Sequence, residues 1–244
     1  MLPSSRPPTI PRTIWLWWKQ NRAVQGTSRT LRAFVAELWG FLRDSTPEQR
    51  RRRYGDVEYD WDHQVDTTSA TVGWRDRLLG VFHSPYQPTE PALFHEMLTG
   101  LKIDFQNFTF VDLGSGKGRT LLMASEYPFR RIVGVELLPE LSRIAEQNLG
   151  KYKSEEQKCF RIESRCEDAC DFVFPAEPTV LYLFNPLPRA GLAQVLANLE
   201  QSLQESDRKV LILYHNPLHD EVLSASGRFT RSGGTHQYSI YENL

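Results

Sequence analysis

Residues Phe110-Val111-Asp112-Leu113-Gly114-Ser115-Gly116-Lys117-Gly118-Arg119 place three glycines at alternate positions directly after an apolar run. Glycines let a backbone turn sharply and approach a ligand that a Cβ would exclude. Where a helix starts immediately afterwards, its free N–H groups face the same ligand. The plainer reading is an ordinary tight strand–helix turn. The spacing also speaks against one ligand class: the dinucleotide fingerprint requires Gly-x-Gly-x-x-Gly, whereas here the glycines are 114, 116 and 118 and position 119 is arginine. Cys159, Cys166 and Cys170 are close enough in sequence to suggest a metal cluster. Zinc ligands come as closely spaced pairs with a matching second half, and no second half is evident, so these are read as buried or incidental thiols and no metal is expected. His215 and His219 flank Asn216-Pro217 and are candidate bases, pocket-lining groups or structural histidines.

These residues need strands and helices to position them. Short β-rich runs at Phe108–Leu113, Arg131–Leu137, Cys159–Arg165, Thr179–Phe184 and Lys209–His215 alternate with helical stretches. Leu141, Ile144, Ala145 and Leu149 form one apolar stripe, and Leu192, Val195, Leu196, Leu199 and Leu203 another. Alternation at this pitch predicts an α/β fold with a parallel sheet covered on both faces. Arg228–Arg231 and His236–Tyr241 flank Gly233-Gly234 and predict a closing antiparallel hairpin. Upstream, a helix is expected from about Glu90 to Leu101, opened by Pro88-Thr89-Glu90-Pro91. Another, capped by Thr27 or Ser28 and carrying Leu31, Phe34, Val35, Leu38 and Phe41, should end at Asp44-Ser45-Thr46-Pro47. The first dozen residues, rich in proline, read as a flexible arm.

Gly-x-Gly-x-Gly preceded by Asp-Leu resembles motif I of the class I S-adenosylmethionine-dependent methyltransferases. The resemblance covers residues 108–243, and 85–107 more loosely. It implies a Rossmann-like, seven-stranded, mostly parallel sheet, and S-adenosyl-L-methionine as cofactor. It assigns Asp112, Gly114, Ser115, Gly116 and Gly118 to the cofactor turn. Glu136, closing Val133-Gly134-Val135-Glu136, would grip the ribose hydroxyls, since a carboxylate accepts two hydrogen bonds from a cis-diol. Glu167 and Asp168, in Cys166-Glu167-Asp168-Ala169, would lie at the adenine amino group. Asn185-Pro186 is similar to the Asn/Asp-Pro-Pro-aromatic motif of amino-group methyltransferases, whose amide oxygen orients the acceptor nitrogen. Leu187 and Pro188 depart from that motif. Pro85-Tyr86-Gln87-Pro88-Thr89-Glu90 resembles the element before motif I in protein-lysine methyltransferases of this fold, which makes Tyr86 a catalytic candidate and Thr89 a cofactor-binding one. The activity implied is methyl transfer to nitrogen of a protein or small molecule. The alternatives are an NAD-dependent oxidoreductase or a non-catalytic methyltransferase-like binding subunit.

The 244 residues suit one large domain with an extension. A formal net charge of -1 excludes binding to nucleic acid by bulk positive charge. That total is a cancellation: residues 1–53 hold 11 basic and 3 acidic residues, a surplus of +8, and the remainder 18 and 27, or −9. Arg50, Arg51, Arg52, Arg53, Trp15, Trp17, Trp18 and Trp39 all lie in the basic part. The chain therefore divides into a basic Trp-rich extension (1–53), a lid or pre-core segment (54–107, aromatic and acidic over 54–90) and a core (108–244). The extension is read as a helical layer, as a docking surface for an acidic protein or RNA, or as an interfacial membrane anchor. An odd number of cysteines and no signal-peptide pattern favour a cytoplasmic setting, peripheral at a membrane if the extension is an anchor.

Overall fold

The computed structural model describes residues 10–44, 57–68 and 87–243. Seven strands form one sheet: β1 (Thr109–Leu113), β2 (Arg131–Glu136), β3 (Ile162–Cys166), β4 (Thr179–Phe184), β5 (Val210–His215), β6 (Phe229–Gly234) and β7 (Tyr238–Asn243). Their order is β3-β2-β1-β4-β5-β7-β6. β1 to β5 pair in parallel, while β7 runs antiparallel to both β5 and β6. Alternate side chains leave a strand on opposite faces, and both faces here are apolar. Val111, Leu113, Val133, Val135, Leu181, Leu183 and Ile212 pack with Leu192, Val195, Leu196, Leu199 and Leu203 of α7 (Arg189–Glu205). Phe110, Ile132, Val180, Tyr182, Leu211 and Leu213 pack with Phe94, Met97 and Leu98 of α4 (Pro91–Thr99) and Leu121 of α5 (Arg119–Ala124). The remaining core helices are α6 (Pro139–Lys151) and the short α8 (Asp220–Ser224).

Three sequence expectations shift. β3 starts at Ile162 rather than Cys159, because the Lys158 and Cys159 N–H groups donate to the Ser125 carbonyl at 2.7 and 2.9 Å instead of joining the sheet. Gly233 and Gly234 are not the hairpin turn. They lie inside β6, where the register shifts between Arg231 and Gly233, and the chain reverses at 235–237 with Thr235 N–H donating to the Tyr238 carbonyl at 2.8 Å. The third difference is near the N-terminus, where Ile10–Gln25 is a helix, α1, so the expected arm reaches no further than residue 9. Pro11 is tolerated there because the first-turn N–H has no intrahelical partner.

Gly26, with φ +78, breaks the chain before α2 (Thr27–Asp44), whose limits match the expected ones. Trp17 and Trp18 of α1 sit 6.0 and 6.2 Å from Phe34 of α2. Leu31, Val35 and Leu38, whose helical spacing marked this element, are 53%, 58% and 39% exposed. Periodicity located the helix but not what would cover it. Between these helices and the core, α3 (Val57–His63) and residues up to Thr68 are described. Arg50 to Arg53, Tyr54 and Trp74 lie outside the described residues.

Candidate functional site

β1 is buried along its whole length and delivers the glycine turn to the carboxyl edge of the sheet, where open α/β sheets bind ligands. Gly114, Gly116 and Gly118 have φ of +85, +55 and +84, a region that side chains with a Cβ avoid. Gly114 is doubly constrained: a Cβ there would lie 2.5 Å from Cβ of Pro186. The loop after β4 is therefore seated directly on the turn. Gly114 and Ser115 N–H groups donate to the Val135 carbonyl at 2.8 and 3.0 Å, and Gly118 precedes α5. Ser115 is 5% exposed, and its Oγ has no hydrogen-bond partner among the described residues.

Glu136 ends β2 with its carboxylate held in place. Oε2 accepts from Gly116 N–H and Oε1 from Leu138 N–H, both at 2.8 Å. A carboxylate offers about four lone-pair sites, and these two backbone donors fix its direction. Asp168 stands at the end of β3, where its Oδ1 accepts from Cys170 N–H at 2.9 Å and caps a short helical turn. Glu167 is bonded through its N–H to the Glu136 carbonyl at 3.1 Å, and its carboxylate, 3.9 Å from Arg165, is pushed up by burial. Gly114, Ser115, Gly116, Gly118, Glu136, Glu167 and Asp168 thus lie on the turn and at the ends of the adjoining β2 and β3.

Asp112 is different. It is 2% exposed, accepts a hydrogen bond from the Thr120 hydroxyl of α5, and burial raises its pKa to about 7. Its side chain ties β1 to the first turn of α5. Thr89 is also inward-facing: it is 3% exposed, and its hydroxyl lies 2.8 Å from the Tyr182 hydroxyl, which lies 2.8 Å from His215 Nδ1. His215 stacks on Phe184 at 3.8 Å, and burial lowers its pKa to about 4, so the imidazole is neutral at physiological pH. Tyr86 lies outside the described residues.

Asn185 follows β4 with φ +44, a conformation asparagine tolerates better than most residues. Its Oδ1 accepts a hydrogen bond of 3.1 Å from the Tyr214 hydroxyl, which in turn accepts from His219 N–H at 3.3 Å. Burial raises the Tyr214 pKa to about 12, keeping it a donor. Asn216, after β5, has φ +48. Tyr214 and Tyr182 carry no motif in the sequence, and only the parallel pairing of β4 with β5 brings them to this edge. Sequence reasoning also missed Asp60, Asp66 and Asn148, whose partners are remote along the chain. Cys159 is buried, Cys166 exposed and Cys170 half-buried, all as free thiols.

Residues 83–165 match the model of the family described as histone methylation protein DOT1. No curated protein sequence matches the chain. Solved structures similar to it include a ribosomal protein L11 methylase from Lactobacillus delbrueckii subsp. bulgaricus (15% identity, 63% of this chain and 75% of that one, TM-score 0.43). The glycopeptide N-methyltransferase MtfA, complexed with S-adenosyl-L-methionine, is 12% identical over 63% of this chain and 93% of its own, TM-score 0.47. Magnesium protoporphyrin IX methyltransferase (ChlM) from Synechocystis PCC 6803, with bound S-adenosylmethionine, is 15% identical over 82% and 91%, TM-score 0.45. The β3-β2-β1-β4-β5-β7-β6 sheet gives this chain a Rossmann-like α/β fold, and over residues 83–165 it is similar to a family of S-adenosylmethionine-dependent methyltransferases.

Proposed function

We propose that the chain is an active methyltransferase that transfers a methyl group to a nitrogen of a protein or small-molecule acceptor. The observation that carries this reading is the seating of Pro186 on Gly114, because it sets Asn185 beside the cofactor turn. The glycine turn offers backbone that a ligand can approach closely. In this reading Glu136 accepts from the ribose hydroxyls, and Asp168, with Glu167 beside it, accepts from the adenine amino group. The unpartnered, buried Ser115 Oγ is a polar group suited to a ligand contact. S-adenosylmethionine, when bound, supplies a sulfonium methyl open to in-line displacement.

The chain's own residues have to hold an uncharged amine in line with that methyl. Asn185 Oδ1 accepts a hydrogen bond from an acceptor N–H and so aims the nitrogen lone pair. The Tyr214 hydroxyl fixes the amide's rotation, leaving Oδ1 a second lone pair for the acceptor. Pro186, Leu187 and Pro188 supply apolar surface that favours the neutral amine over the ammonium ion. His215 contributes no positive charge there, because it is buried and neutral. A protein acceptor is favoured by the histone-methylation description of the matching family. A reducing, cytoplasmic setting fits the three free thiols, and no helix among the described residues is long and apolar enough to cross a membrane.

The test is transfer of radiolabelled methyl from S-adenosylmethionine into cell extract fractionated into protein, RNA, lipid and small molecules. Label on nitrogen in the protein or small-molecule fraction is expected with wild type and not with Asn185→Ala. Label confined to RNA or lipid, or an equally active Asn185→Ala, would overturn the reading.

A further inference from the structure

Lys117 and Arg119 belong to the glycine turn, yet their side chains serve none of the roles above. Lys117 is 0% exposed and Arg119 2%. Buried cations persist only when paired and hydrogen-bonded, and their partners lie about fifty residues earlier in the chain. Lys117 Nζ donates to Asp66 Oδ1 and to the Thr68 carbonyl, both at 2.8 Å. Arg119 Nε donates to Thr67 Oγ1 at 2.6 Å and its Nη2 to Asp60 Oδ1 at 3.2 Å, with the guanidinium 4.8 Å from the Tyr59 ring centre.

Asp60 also shapes the segment that receives these cations. Its Oδ2 accepts from Thr67 and Thr68 N–H groups at 2.7 and 2.9 Å, folding residues 60–68 into a closed strap. Asn148 of α6 fastens both sides. Its Oδ1 accepts from Asp66 N–H at 2.9 Å, and its Nδ2 donates to the Asp66 and Lys117 carbonyls at 2.8 and 2.9 Å. Gly116, the residue directly before Lys117, carries the N–H that orients Glu136. Any movement of Lys117 is therefore felt at that carboxylate. Withdrawing the strap would separate two buried cations from the Asp66 and Asp60 carboxylates they pair with, a costly loss for buried charges, so docking should be strongly cooperative.

We propose that Lys117 and Arg119 are positioning residues: they clamp the 57–68 strap to the glycine turn, and the docked strap sets the turn geometry on which cofactor affinity depends. This rests on the S-adenosylmethionine reading of the turn. Coupling of this kind is reciprocal, so a bound cofactor must tighten the strap by the factor by which the strap tightens the cofactor.

Two readouts on the full chain test it: calorimetric titration with S-adenosylhomocysteine, and amide hydrogen exchange with and without that ligand. Asp60→Asn keeps shape and removes the charge facing Arg119. It is expected to weaken binding about tenfold or more, within the ~5–150-fold range usual for coupled sites. Arg119→Lys should retain more affinity than Arg119→Met. In wild type the ligand should slow exchange at Thr67 and Thr68 several-fold, a linkage that mere structural support would not produce. Wild-type affinity in Asp60→Asn, or exchange at Thr67 and Thr68 indifferent to ligand, would overturn the proposal. If Asp60→Asn does not fold, the wild-type exchange result alone decides. A wild type that binds no S-adenosylhomocysteine would instead refute the cofactor reading.

Discussion

Replacing Gly114 with alanine tests the contact on which the site is built. Its φ of +85 costs an L-residue about 1–2 kcal/mol. The new Cβ would stand 2.5 Å from Cβ of Pro186, against an ordinary carbon–carbon contact of about 3.5–4.0 Å. Either the turn or the loop after β4 must therefore retreat by about 1 Å. Forced overpacking of this kind costs a further ~1–3 kcal/mol, giving a total of about 2–5 kcal/mol. At roughly 2–4 °C per kcal/mol for a chain of this size, Tm should fall by about 4–20 °C. Gly150→Ala is the matched control: Gly150 lies in α6 with no atom within 4 Å of its would-be Cβ, so alanine there should stabilise by about 0.5–1 kcal/mol. Asn185 moves with Pro186, and misplacement by about 1 Å costs on the order of 100-fold in rate. Thermal and urea unfolding measure the first effect and methyl transfer the second. Equal Tm values for Gly114→Ala and Gly150→Ala would refute the reasoning, as would wild-type turnover in Gly114→Ala.

Other perturbations follow from the same geometry. Tyr214→Phe removes the hydrogen bond to Asn185 Oδ1; kcat should fall about 2–10-fold, in line with one hydrogen bond of ~0.5–1.5 kcal/mol, while calorimetric affinity for S-adenosylhomocysteine stays unchanged. Glu136→Gln turns an amide N–H toward one of two backbone donors, Gly116 or Leu138. Cofactor affinity should drop at least ~10-fold and Tm should fall, since a buried donor left unpaired costs about 1–3 kcal/mol. His215 titrates at about 4 when folded against an ordinary 6.5, so the unfolded chain binds more protons between those values. Its contribution to stability is therefore lost as pH falls from about 6.5 to 4, and urea unfolding of His215→Gln should show a shallower slope in that window. Asp112 acts with the opposite sign. Its pKa near 7 in the fold makes its contribution fully present below about pH 4 and lost as pH rises through 7; Asp112→Asn should gain stability relative to wild type at pH 8 and little at pH 5.

Much of this architecture was legible from local pattern. The stripe Leu192, Val195, Leu196, Leu199 and Leu203 is the buried face of α7, and the apolar runs at 109–113, 179–184 and 210–215 are strands within a residue of their expected limits. The place of Glu136 at the end of β2 was legible because a strand end and a spacing from the glycine turn define it. What stayed hidden depends on partners far away in sequence. Asp60 and Asp66 belong to a stretch read only as a lid or pre-core segment, and their role shows only where Lys117 and Arg119, more than fifty positions on, bury their charges against them. Gly233-Gly234 carried a turn signal, yet the turn lies at 235–237, and only the strand register reveals that the glycines sit within β6. The Thr89 hydroxyl lies 2.8 Å from that of Tyr182, 93 positions on, a partner no local spacing announces.

The central claim is that the glycine turn holds S-adenosylmethionine. Calorimetric titration of wild type and Gly116→Arg with S-adenosylhomocysteine and NAD tests it most directly. The account predicts one S-adenosylhomocysteine site in wild type, no binding by a folded Gly116→Arg, and no heat with NAD. Binding of NAD without S-adenosylhomocysteine, or equal S-adenosylhomocysteine affinity in a folded Gly116→Arg, would contradict it.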